Sequence, residues 1–186
     1  MINSRLIIQV ISFFLYVIVQ VLLMKNIVLF DRAFIFFYIG FLLLLPIETG
    51  VLLMLIIGFF TGLTVDIFYN SFGIHAFACV LIMFVRNYWL NLITPQGGYE
   101  IGSLPTVKLN GWQWFSIYSL PLVLLHHIVL FYIEAAGFNL FGFTLVKVIS
   151  STIFTFIILM IVQYLFYNTR GRKWTRHVNI LSNSLW

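Results

Sequence analysis

The stretch Val51-Leu-Leu-Met-Leu-Ile-Ile-Gly58-Phe-Phe-Thr-Gly62-Leu-Thr-Val-Asp66-Ile-Phe-Tyr69 decides the fold. It is a continuous apolar run of the length a membrane-spanning helix needs, about 20 residues, and it carries a single carboxylate. An ionisable group at the centre of such a helix costs roughly 2.5–3.5 kcal/mol on insertion scales, so it faces a partner, a cavity or a neighbouring helix. Gly58, Gly62 and Asp66 recur at every fourth position and share one helix face. Two small residues followed by an acid make a surface that a second helix approaches closely, with the carboxylate hydrogen-bonded just beyond the contact. Asp66 is then either an internal acceptor near the membrane edge or part of a face offered to another helix.

Composition places the rest of the chain in the same class. Hydrophobic residues make up 62% and charged residues 8%, against about 25% charged in soluble domains, and the mean hydropathy is +1.09. The apolar runs are continuous rather than alternating, which selects membrane helices over a β-barrel. A lone cysteine, Cys79, excludes an internal disulfide and reads as a small buried apolar residue. The expectation is an all-α polytopic membrane protein of about six spans. One transmembrane domain covers residues 1–170, and a basic cytoplasmic tail covers 171–186.

The spans read as Leu6–Met24, Ala33–Leu45, Val51–Tyr69, Ile74–Leu90, Trp112–Ile133 and Phe141–Tyr167. The first follows Arg5 with no small-residue cleavage pattern behind it and is an anchor. The second is short: as a helix, thirteen residues reach only about 20 Å, so it borrows from the preceding loop or lies partly re-entrant. Pro121 is expected to kink or break the fifth span early. The long loop 91–111 is rich in turn formers, and its Pro-Gln-Gly-Gly run lacks the Gly-Lys-Ser/Thr ending of a phosphate loop. Arg5, Arg86, Lys108, Arg170, Arg172, Lys173 and Arg176 fall on one side, against Lys25 and Arg32 on the other, so both termini are read as cytoplasmic. The net charge of +5 expresses this asymmetry and attraction to anionic lipid. It carries no nucleic-acid meaning.

Few polar groups are available for chemistry. His126 and His127 are adjacent, hence about 100° apart, and Glu134 lies about 10–12 Å further along the axis, so one metal ion does not bridge them. No nucleophile and base stand at a catalytic spacing, and neither a cofactor nor an enzymatic role is expected. The short link Asn70–Gly73 makes spans three and four an antiparallel hairpin that brings His75 toward Asp66. Arg86, at the end of its span beside Tyr88 and Trp89, reads as an interface anchor, and with Gly58, Gly62, Asp66, Gly73 and His75 it is otherwise a candidate for helix packing or partner binding. Asp66, Asn70, His75, His126, His127 and Glu134 are candidates for lining an outer polar cavity.

The run from Gly58 through Asp66 to Gly73-Ile-His75-Ala76, with Pro46 before it and Arg86 and His126-His127 with Glu134 after it, resembles the MreD family of rod shape-determining proteins in its Bacteroidetes-like form. The resemblance covers about residues 1–170. It implies a non-enzymatic subunit of the elongasome in the bacterial inner membrane, supporting cell shape and lateral peptidoglycan synthesis. It further implies binding to a single-span protein of MreC type and links to RodA, its transpeptidase partner and, indirectly, MreB. The family is similar in fold to the S-components of energy-coupling-factor vitamin transporters. That similarity supplies an alternative, a substrate-binding S-component whose outer polar groups surround a ligand.

Overall fold

The computed structural model describes residues 4–29, 32–100, 102–136 and 141–167. The basic tail expected over 171–186 lies outside the described residues. Helix α1 (Ser4–Leu22) ends in a single 3-10 turn, Met24–Asn26. Two-residue strands β1 (Val28–Leu29) and β2 (Ala33–Phe34) then pair antiparallel, Val28 opposite Phe34 and Leu29 opposite Ala33. The five-residue α2 (Ile39–Leu43) leads into α3 (Val51–Tyr69) and α4 (Ile74–Leu92). A four-residue α5 (Val107–Asn110) precedes α6 (Trp112–Glu134) and α7 (Phe141–Tyr167). Among the described residues, five helices are long and apolar enough to cross a membrane, namely those built on α1, α3, α4, α6 and α7. The protein is an all-α polytopic membrane protein.

Helices α3 and α4 form the most extensive pair. Their link is tight because Asn70 ends α3 in the left-handed conformation (φ 53°) and Gly73 caps α4 in the same region (φ 84°), where glycine carries no Cβ penalty. Lys25, at the end of α1, donates to the Phe68 carbonyl at the end of α3 (2.6 Å), so these two helices run in the same direction. The chain between them therefore has to return the full depth of the bundle.

It does so through the segment expected as the second span, and here the structure departs from a plain helix. Residues 33–45 form a short strand, an extended stretch and one turn and a half of helix, and every residue from Ile35 to Leu43 is buried. The segment runs antiparallel to α1. Gln20 binds at Ile35 and Phe37, Tyr16 stacks on Phe37 with ring centroids 4.5 Å apart, Phe13 meets Phe41 edge-on, and Ile8 and Gln9 lie across a cavity from Leu45 and Pro46. Extended backbone advances about 3.3 Å per residue against about 1.5 Å in a helix. Thirteen residues too few for a helical span thus cross the bundle. Gly40 makes the passage possible at its narrowest point, since a Cβ there would fall 2.6 Å from a Leu159 methyl and 2.7 Å from the Tyr16 ring.

A second expectation also changes. Pro121 sits inside α6, which continues unbroken from Trp112 to Glu134. Proline lacks the N–H that would bond the carbonyl four residues back, and that carbonyl, of Ile117, instead accepts the Trp89 indole N–H from α4 at 3.2 Å. The lost helical bond is converted into a tie between helices. Trp89→Phe should cost about 1 kcal/mol of stability, and less in a Pro121→Ala background, where the restored amide reclaims the Ile117 carbonyl. A double-mutant cycle from unfolding titrations in mixed micelles measures that coupling.

Candidate functional site

An irregular segment inside a membrane protein exposes amides and carbonyls that no water reaches, and each one left unpaired costs several kcal/mol. The flanking helices supply the partners. From α7, Ser151 Oγ accepts the Phe34 amide (2.9 Å) and Thr155 Oγ1 the Phe36 amide (3.2 Å). From α1, Gln20 accepts the Phe37 amide through Oε1 and donates through Nε2 to the Ile35 carbonyl (3.0 Å) and to Tyr69 Oη (2.7 Å). Gln20, Ser151 and Thr155 are all fully buried.

Arg86 completes the set at the other end of the segment. It was expected at the interface, but it is wholly buried, the largest side chain so enclosed among the described residues. Its Nη2 donates to the Leu45 carbonyl (2.6 Å), its Nη1 to Met54 Sδ (2.8 Å) and its Nε to the Tyr118 hydroxyl (2.6 Å). Tyr118 in turn donates to the Leu43 carbonyl at 2.7 Å. The carbonyls at the C-terminal end of α2, which the break at Pro46 leaves without helical donors, thus meet a fixed cation and a hydroxyl that the cation polarises. The carbonyl-rich end of the re-entering segment offers the guanidinium more than the interface does.

Asp66 organises the opposite end. Its Oδ1 accepts the His75 amide (3.1 Å) and the Ser71 hydroxyl (2.6 Å), and its Oδ2 accepts the Ala76 amide (2.9 Å). A carboxylate from α3 therefore caps the first turn of α4, satisfying two of the orphan donors there and meeting the positive end of the helix. The glycine face explains how it gets so close. A Cβ on Gly62 would collide with the Ala76 backbone and the His75 carbonyl, and one on Gly58 would fall 3.0 Å from Met83 Cγ and 3.2 Å from the Cys79 carbonyl. Gly58, Gly62, Asp66, Gly73 and His75 thus form one internal hairpin seam, while Arg86 lies apart at the far end of α4.

Ser71, His75 and Asp66 have the composition of a hydrolytic triad without its arrangement. Both Ser71 Oγ (2.9 Å) and Asp66 Oδ1 (3.1 Å) approach the same imidazole nitrogen, Nδ1. A triad needs the serine on the other nitrogen, and His75 Nε2 has no hydrogen-bond partner among the described residues. His126 and His127 point into the bundle. His126 Nε2 is 2.8 Å from Tyr38 Oη, and His127 bonds the Val123 carbonyl through Nδ1 (2.6 Å) and Thr155 through Nε2 (3.4 Å). All three histidines surround the Phe36 ring at centroid distances of 5.2–5.9 Å. No group of three His, Cys, Asp or Glu side chains placed to hold a metal occurs among the described residues.

Of the six polar cavity candidates, only His75 and Glu134 line the cavity at the Glu134 end of the bundle, while Asp66 is taken up by the start of α4. This outer cavity has a volume of about 130 Å³ and is walled by Phe34, Phe36, Tyr69 and Phe131. Asn70 serves the turn and is exposed, and His126 and His127 belong to the core. Glu134 sits at the rim, 3.7 Å from Lys147 Nζ. Sequence reasoning passed over Gln20, Tyr118, Ser151 and Thr155. The signal was present as isolated polar residues midway along apolar runs, with Ser151 and Thr155 four apart on one face.

Arg86→Lys should lower stability by about 2–4 kcal/mol, because one ammonium replaces three diverging donors, and its effect should be non-additive with Tyr118→Phe in unfolding titrations. Gly62→Leu should force the α3–α4 seam apart and lower the thermal midpoint further than Gly58→Ala. Comparison of the chain with protein-family models, with curated proteins and with solved structures gave no match.

Proposed function

We propose that this protein is a non-enzymatic subunit of an elongasome, of MreD type. In this reading it sits in the bacterial inner membrane with both termini cytoplasmic. It binds a single-span protein of MreC type and, through it, associates with RodA, its transpeptidase partner and the MreB filament. The family assignment stands on the resemblance in residues 46–134 described above. The buried polar groups agree with a scaffold, since Gln20, Arg86, Tyr118, Ser151 and Thr155 are occupied with the protein's own backbone. With Arg86 in the interior, the basic excess on the cytoplasmic side rests on Arg5, Lys108 and the tail, still against Lys25 and Arg32 on the other side.

The observation that carries the partner reading is the loose seating of α1. Three adjoining cavities of about 320–330 Å³ separate its N-terminal half from α2, α3 and the Gly102 loop, and Gln9 and Leu45 line all three. Gln9 is half-buried in this crevice and makes no hydrogen bond among the described residues. An amide in hydrocarbon is satisfied by a polar group on a neighbouring transmembrane helix, worth about 0.6–2 kcal/mol. A single-span partner seated between α1 and α3 supplies one. The vitamin-transporter alternative finds less support, because the outer cavity of about 130 Å³ is below the range of about 300–1,000 Å³ usual for ligand pockets.

Affinity purification of the tagged protein in mild detergent, followed by mass spectrometry, tests the reading. A periplasmic single-span coiled-coil protein should co-elute in near-equal amount from wild type and be depleted several-fold from Gln9→Leu, with the thermal midpoint of the purified subunit unchanged. Recovery of an ATPase module and a bound vitamin instead would replace this function with the transporter one.

A further inference from the structure

His75 presents a buried nitrogen with nothing to bind. The residue is 5% exposed. Asp66 takes its Nδ1 and fixes the ring, so the proton lies on Nδ1 and Nε2 carries a lone pair. That nitrogen has no hydrogen-bond partner among the described residues, and the residue lines the outer cavity of about 130 Å³. Four aromatic residues, Phe34, Phe36, Tyr69 and Phe131, share the lining with the Glu134 carboxylate. An acceptor within, aromatic faces around it and an anion at the rim define what the cavity takes: a cation that carries N–H bonds.

The protein already places ammonium groups against these rings. Lys147 Nζ lies 4.9 Å from the Phe34 centroid and 4.8 Å from that of Phe131, and Lys25 Nζ lies 5.1 Å from that of Tyr69. Neither lysine hydrogen-bonds to His75 Nε2. We propose that the outer cavity is a site for a primary ammonium group, which donates to His75 Nε2, stacks among the four aromatic residues and is balanced by Glu134. The volume admits a group of ethanolamine size. The ammonium comes either from a small free amine or from an ethanolamine lipid headgroup, since the cavity lies at the end of the bundle where the membrane-length helices α3 and α6 finish and α4 begins. This site is independent of the α1 crevice and of the elongasome reading.

The test uses the full-length protein in detergent and in nanodiscs. Ethanolamine and n-butylamine are titrated by calorimetry, with tetramethylammonium and n-butanol as controls lacking the N–H or the charge. Glu134→Gln, at an exposed position, should weaken amine binding about tenfold, and Lys147→Gln, which removes a competing cation, should strengthen it severalfold. Free amine binding with that variant pattern supports the site with a soluble ligand. Retention of phosphatidylethanolamine over phosphatidylglycerol by native mass spectrometry, reduced in Glu134→Gln, supports it with a lipid headgroup. Equal binding of n-butanol or tetramethylammonium, or neither amine binding nor lipid preference in wild type and Lys147→Gln, overturns the proposal.

Discussion

Backbone amides and carbonyls without water govern this protein. Residues 33–45 cross the bundle in a largely non-helical form, and within hydrocarbon such a path is tolerated only where protein groups take over the role of solvent. The polar side chains of α1, α4, α6 and α7 are accordingly placed opposite particular atoms of that segment. Burying a guanidinium without a carboxylate looks costly when the helix is considered alone. It becomes intelligible once the Leu45 carbonyl and the Tyr118 hydroxyl are seen to wait for it.

The same logic separates the two ends of the molecule. At the Asp66 end, a carboxylate answers the amides that open α4. At the Arg86 end, a cation answers the carbonyls that close α2. Each charge sits against the helix terminus of opposite polarity. Between them, glycine brings backbone onto backbone at Gly62 and lets Gly40 pass between Tyr16 and Leu159. Among the described residues several polar atoms stay unpartnered, His126 Nδ1, Trp114 Nε1 and Gln163 Nε2 among them, but two of the unpartnered side chains line the cavities described above, Gln9 in the α1 crevice and His75 beside Phe36. These two are where the molecule has capacity for something beyond itself.

Much of this was legible in the sequence because hydropathy and four-residue spacing are local signals. The long spans, the α3–α4 hairpin, the glycine face and the approach of His75 to Asp66 all follow from residues close together in the chain. The errors share a different cause. Arg86 reads as an interface residue from its neighbours Tyr88 and Trp89, and its true acceptor is 41 residues away. Pro121 reads as a kink or a break, and the break is absent because the indole that takes the freed carbonyl is on another helix. The second span was legible as too short for a helix, and its extended form depends on Gln20, Ser151 and Thr155, which no local pattern ties to it.

The order in which the chain is made then sets a problem for its biogenesis. The amides of Phe34 and Phe36 find their acceptors 117 and 119 residues later, on α7. While α3, α4 and α6 are being synthesised, the central segment has no helix of its own to shelter its backbone and cannot rest in lipid as an independent span. It has to wait at the aqueous boundary, or in the care of the insertion machinery, until α7 arrives. This membrane protein is therefore completed by α7, and a chain that stops short of Thr155 lacks part of its membrane interior as well as a surface.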